Sequence, residues 1–119
     1  MLTLPRGERL RRAAEFQAVF QYGSRLERPD FVVLWRRGGT RRAGFAVSRQ
    51  LHGAARRNRA RRRVREAYRQ VRALIAGDVE LVVVARASAA SRPFAELVED
   101  MRRLAESLAR AARLPEVRA

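Results

Sequence analysis

Residues 55–69, ARRNRARRRVREAYR, place eight arginines and one glutamate in a single short stretch. A guanidinium group is planar and always charged; it forks onto phosphate oxygens and stacks on base faces, so the chemistry on offer is nucleic-acid binding. Asn58 stands between Arg57 and Arg59. Its amide could present a donor and an acceptor to a base edge, or it could cap a helix start; the residue type leaves both readings open. Upstream, Phe16 and Phe20 are either core residues or stacking platforms for single-stranded bases. Phosphodiester hydrolysis by protein groups needs clustered carboxylates around metals or a histidine pair. Glu8, Glu15, Glu27, Asp30, Glu66, Asp78 and Glu80 form no D-x-D-like set, and His52 is the sole histidine. The absence of cysteine excludes thiolate zinc sites, disulfides and thiol catalysis. No catalytic or metal-ligating residue is therefore assigned to the protein.

These residues need a scaffold. The chain has 119 residues, 47% of them hydrophobic, which fits one RNA-binding domain over 1–119, with 1–11 a basic arm and 114–119 frayed. All 27 basic residues are arginine, a choice that a G+C-rich coding bias explains, and the net charge is +15. Such a charge repels itself in a compact state and fits a polyanionic partner. No helix-turn-helix spacing appears, so DNA is not the expected partner. No apolar run approaches the ~18 residues of a membrane span, and MLTLPRGERLRR lacks an apolar core followed by a cleavage site. A cytoplasmic location is expected.

The pattern predicts seven elements. Residues 12–23 read as a short helix, with Ala13, Phe16 and Phe20 at i, i+3 and i+7 and Val19 broadening the stripe. A short strand is expected near 24–28. DFVVLWRR (30–37) and RRAGFAVSR (41–49) read as strands, and the intervening GGT reads as a turn that makes them a hairpin. A long helix runs from about Ala54 to Ile75. VELVVVAR (79–86) is a continuous apolar run, hence a strand buried on both faces; ASAAS is a loop; a last helix begins at Pro93. The fold class is α/β (α+β), a two-layer sandwich in the order α-β-β-β-α-β-α.

On a helical wheel of about 100° per residue, Ala60, Val64, Ala67, Tyr68, Val71, Leu74 and Ile75 form one packing stripe. Asn58, Arg61, Arg65, Arg69 and Arg72 occupy one neighbouring sector, and Arg59, Arg62 and Arg63 the next. Arg57 lies beside the stripe in the first turn. The apolar residues dock the helix, so the arginines form a fixed surface.

At these residues the sequence resembles the protein subunit of bacterial ribonuclease P, whose signature is R-N-R followed by a basic helix, here Arg57-Asn58-Arg59 onward. EFQAVFQYG (15–23) is similar to the family's F-x-x-V-F-x-x-G helix, RAGFAVSR (42–49) to its G-hydrophobic-x-V-S-basic strand, and VELVVVAR to its second apolar strand. The likeness spans residues 9 to about 110. It implies a four-stranded mixed sheet with a left-handed βαβ crossover. It also implies a function: a subunit that binds a catalytic RNA and the 5′ leader of precursor tRNA, aiding Mg²⁺-dependent endonucleolytic removal of the leader, with Mg²⁺ held mainly by the RNA. On that resemblance, Phe16, Phe20, Arg57, Asn58, Arg61 and Arg65 bind the leader, and Arg59, Arg62, Arg63 and Arg49 bind the catalytic RNA. A non-catalytic, ribosomal-type structural-RNA-binding protein is the other reading. Two positions depart from the family pattern. His52-Gly53 replaces Gly and a polar residue before the helix, and Leu34, with Trp35 beside it on the opposite face, stands where relatives often carry a cleft aromatic.

Overall fold

A computed structural model describes residues 6–10, 12–75 and 77–113. The element order is α1 (Ala13–Tyr22), β1 (Ser24–Glu27), β2 (Phe31–Arg37), β3 (Arg42–Val47), α2 (Ala54–Val71), β4 (Val79–Ala85) and α3 (Phe94–Arg113). This is the α-β-β-β-α-β-α order read from the sequence. Short 3-10 turns cover Arg6–Glu8, Arg72–Leu74 and Ala87–Ala90, the last falling within the segment expected to be a loop.

The strands form one mixed sheet in the order β1-β2-β4-β3. β1 pairs with β2 and β2 with β4 antiparallel, while β3 and β4 run parallel across the α2 connection. The expected hairpin between residues 30–37 and 41–49 is therefore not formed: β4 lies between β2 and β3. The Gly38-Gly39 turn does reverse the chain, with Gly39 at φ 95°, but the Gly38 N–H donates to the carbonyl of Asp78, the residue before β4. The physical reason lies in β4 itself. Apart from Glu80 near its start, its run is apolar on both faces, so it is most stable with a strand on each edge and helices over its faces. A turn signal reports a reversal of direction, not which strand becomes the neighbour.

β2 alternates across the sheet. Phe31, Val33 and Trp35 face the layer made by α2 and α3, with Leu81, Val83 and Phe45 from the neighbouring strands. These two layers hold the main core, into which α2 sends Ala60, Val64, Ala67, Tyr68 and Val71. Tyr68 packs edge-on against Phe45, with ring centroids 5.6 Å apart. The other sheet face carries a smaller cluster in which Val19 of α1 meets Val82, with Leu34 and Val84 alongside. Leu74, placed on the α2 stripe by the wheel, is 42% exposed, whereas Ile75 is buried. The chain tightens into a 3-10 turn at Arg72, and about 120° per residue instead of 100° rotates Leu74 off the core.

Residues 6–10 are not a free basic arm. Arg9 bridges to Ala43, the Leu10 N–H donates to the Ala43 carbonyl at 3.0 Å, and Leu10 is buried. Glu8 anchors the segment by ion pairs to Arg41 at 2.7 Å and Arg72 at 2.5 Å. The rest of the expected arm, residues 1–5 and 11, and the expected frayed end, 114–119, lie outside the described residues.

Candidate nucleic-acid interface

α2 begins after Gly53, which sits at φ 92°, a backbone conformation that favours glycine. His52 beside it is exposed. Burial of the Ala60–Val64–Ala67–Val71 stripe sets the rotation of the helix, and that rotation decides where each arginine points.

Phe16 of α1 is half-buried and lies against β3 where that strand carries Gly44. A Cβ placed on Gly44 would come within 2.6 Å of two Phe16 ring carbons, so only a glycine admits the ring in this position. Facing it across a cleft of about 180 Å³ are Arg61, Arg62 and Arg65 of α2, with Arg9 and Leu10 of the docked N-terminal segment on the rim. An aromatic face opposite a row of guanidinium groups suits one unpaired nucleotide, with its base on the ring and its phosphate on the arginines. Arg42 donates to Glu15 at 2.6 Å and ties α1 to β3 at this edge.

Phe20 is not in that cleft. It is 43% exposed and lines a broader concavity of about 690 Å³ over the same sheet face, floored by Val32, Leu34 and Val84 and flanked by Arg25, Arg49 and Arg86. Arg49, grouped from the sequence with Arg59, Arg62 and Arg63, thus stands with Phe20. It follows the end of β3, and the chain there passes along the α1 side before reaching α2. Trp35 packs into the α2–α3 core, so the strands offer this concavity Val32, Leu34 and Val84 but no aromatic side chain.

Arg59, Arg62 and Arg63 line a separate concavity of about 410 Å³ with Glu66, Gln70 and Phe94. Arg62 borders both this pocket and the Phe16 cleft, and so marks the crest between the two sectors. Two of these arginines also hold the fold. Arg59 Nε donates to the Ala90 carbonyl at 2.7 Å, and Arg63 Nη2 donates to the Arg92 carbonyl. Both carbonyls belong to the turn before α3, which is thereby held to α2. The Arg63 Nε–H is itself buried without a partner among the described residues.

Arg57 and Asn58 take different parts from those expected. Arg57 Nη1 donates to the carbonyls of Ser48 at 2.9 Å and Leu51 at 2.8 Å, fastening the β3–α2 loop rather than lining the Phe16 cleft. Asn58 is in the second turn of α2 and does not cap it; its Oδ1 accepts from Arg61 Nη2 at 2.6 Å, which orients one of the cleft arginines. The sequence could not single out Arg25, Arg86, Gln70 or Phe94. Arg25 lies opposite Leu34 only because β1 pairs with β2, and Phe94 reads in sequence as an ordinary apolar residue opening a helix.

Among the described residues, no group of three or more His, Cys, Asp or Glu side chains could hold a metal ion, and no helix is long and apolar enough to cross a membrane. The acidic groups are mostly engaged in ion pairs: Asp30 with Arg92, Asp100 with Arg28, Glu80 with Arg36 and Glu66 with Arg69.

Known proteins resemble this chain in sequence and fold. The family model described as Ribonuclease P matches residues 4–109. The ribonuclease P protein component of Acidothermus cellulolyticus is 40% identical over 105 residues, covering 85% of this chain and 88% of that protein. The solved ribonuclease P protein of Thermotoga maritima superposes with a TM-score of 0.73 at 33% identity, covering 84% of this chain and 96% of its own. The ribonuclease P protein of Staphylococcus aureus, 24% identical with a TM-score of 0.68 over 89% of this chain and 95% of its own, shares the fold.

Proposed function

The chain belongs to the ribonuclease P protein family, and from that membership we propose that its arginine helix works as a partition between two RNAs. It is the protein subunit of ribonuclease P, a component of the endonuclease complex that processes tRNA. In this reading the Phe16 cleft, with Arg61 and Arg65, takes a nucleotide of the 5′ leader of precursor tRNA. The Phe20 concavity, with Arg25, Arg49 and Arg86, carries the leader onward over the sheet. Arg59, Arg62 and Arg63 face the catalytic RNA. Mg²⁺ and the hydrolytic step belong to that RNA; the protein positions the substrate and neutralises phosphates in a cytoplasmic ribonucleoprotein. Arg57 and Asn58 act by positioning, the first through the loop before α2 and the second through Arg61.

The observation that carries this reading is the separation of the two arginine-lined concavities by Arg62, one walled by an aromatic held on a glycine and the other by α3. A single phosphate-binding surface has no need to turn through about 200° of helix. Two RNAs on two sides do. The test is a pair of titrations at fixed salt. Arg61→Ala with Arg65→Ala should weaken binding of precursor tRNA by the reconstituted holoenzyme, by ~1–3 kcal/mol for each arginine removed, with binding of the catalytic RNA little changed. Arg59→Ala, at a residue that lines only the second concavity, should do the reverse. Because Arg59 also holds the turn before α3, thermal unfolding of that variant is measured alongside. Equal loss of both RNAs in both variants would refute the partition.

A further inference from the structure

The pocket between α2 and the start of α3 contains an aromatic that the partition by itself does not require. Phe94, the first residue of α3, is 40% exposed. Arg63 lies over one part of its ring, with the guanidinium carbon 5.9 Å from the ring centroid. Arg63 itself is held in place through the Arg92 carbonyl, two residues before Phe94. Gln70 stands exposed on the wall one turn beyond Glu66, and Arg59 and Arg62 complete the surface.

An exposed phenylalanine beside three arginines is poorly placed for a protein partner, which would have to bury several like charges. It suits RNA, because a base can stack on the open part of the ring while its phosphates meet the arginines. Gln70, on the same concavity, adds a donor and an acceptor. The 410 Å³ concavity is roomy enough for one nucleotide. We propose that Phe94, with Gln70 on its flank, is a stacking site for one unpaired nucleotide of the ribonuclease P RNA subunit. This rests on the partition reading, because the precursor tRNA is assigned to the far side of the Arg62 crest. Held by the Arg59 and Arg63 bonds to the turn, the site is organised before RNA arrives, so stacking there should give specificity for an unpaired position rather than further charge attraction.

The experiment uses the full chain and the ribonuclease P RNA transcript, with Phe94→Ala, Phe94→Leu and Phe94→Tyr. Leucine keeps apolar bulk without a π face; tyrosine keeps the face. Affinity for the RNA is measured at fixed salt, base-modification footprints are compared nucleotide by nucleotide, and thermal unfolding is recorded. The alanine and leucine variants should bind the RNA about tenfold more weakly, and one unpaired nucleotide protected by the wild type should become reactive. The tyrosine variant should match the wild type. Precursor tRNA affinity of the assembled holoenzyme should stay within about twofold, since the stack is not made with that RNA. If leucine binds and protects as phenylalanine does, the stacking site is refuted while the partition stands. A loss confined to precursor tRNA refutes it too. If the wild type forms no complex with the RNA subunit, the partition reading fails and the site with it.

Discussion

Gly44→Ala should eject Phe16 from its cleft. The added methyl would lie 2.6 Å from ring atoms Cε1 and Cζ and 3.2 Å from the Leu10 Cβ. Carbon atoms settle about 3.5–4.0 Å apart, so the ring or the β3 backbone must withdraw by about 1 Å. Overpacking of this kind costs ~1–3 kcal/mol. The φ of Gly44 is not positive, so alanine is not strained by the backbone and recovers ~0.4–1 kcal/mol by restricting the unfolded chain. The net loss should be about 1–2 kcal/mol, or roughly 4–8 °C in melting temperature for a domain of this size. A double-mutant cycle isolates the packing of ring on glycine. In a Phe16→Ala background the obstruction is gone, and Gly44→Ala should become neutral or slightly stabilising, leaving a coupling energy of ~1–3 kcal/mol. Urea unfolding of the four proteins measures it. On the functional side, Gly44→Ala should weaken holoenzyme binding of leader-bearing precursor tRNA while sparing mature tRNA. An equal cost of Gly44→Ala with and without the Phe16 ring would refute the packing. A normal leader affinity in a folded Gly44→Ala variant would refute the role given to the cleft.

Other perturbations test the electrostatics and the buried polar groups. With a net charge of +15 and roughly 5–8 phosphates bound, log K for RNA should fall against log salt by about 0.7–0.9 for each phosphate, and a flat plot would sink the charge-driven account. Partial burial works to raise the Glu8 pKa, but hydrogen bonds from Arg41 and Arg72, helped by their charges, outweigh it and hold the carboxyl below its ordinary 4.5. A lowered folded pKa means that the unfolded state takes up protons first, so this stabilisation is present above about pH 4.5 and fades as pH falls below it. Glu8→Gln should therefore differ most from the wild type near neutral pH and converge with it in acid; parallel stability curves would contradict the pairing. Burial raises the Tyr68 phenol above its ordinary 10.0, so stability should fall as pH rises past about 10. Its hydroxyl is buried without a partner among the described residues; Tyr68→Phe should be neutral to stabilising by up to about 1 kcal/mol and should blunt the alkaline loss, and a large destabilisation would reveal a hydrogen bond to that oxygen.

Much of this protein is written in short-range pattern. The seven elements, the rotation of α2 and the two arginine sectors follow from residue type and periodicity, because a helix turns by a constant angle and its buried stripe is fixed by where Ala60, Val64, Ala67 and Val71 fall. The net charge of +15 likewise points to a polyanionic partner, since it depends on composition alone. Tertiary structure decided the rest. β4 enters between β2 and β3, which no local turn signal can announce, because strand neighbours are chosen by burial across the whole sheet. That choice sets β3 at an edge, where residues 9–10 dock on it and Gly44 receives Phe16, and it parts Phe16 from Phe20 although they lie one turn apart on α1. It also reassigns arginines that look alike in sequence: Arg57, Arg59 and Arg63 fasten loops through backbone carbonyls, while Arg62 stands on the crest and Arg49 joins the Phe20 side. For Arg59 and Arg63, the carbonyl that each guanidinium reaches belongs to a segment about thirty residues away in the chain, and only packing brings the two together.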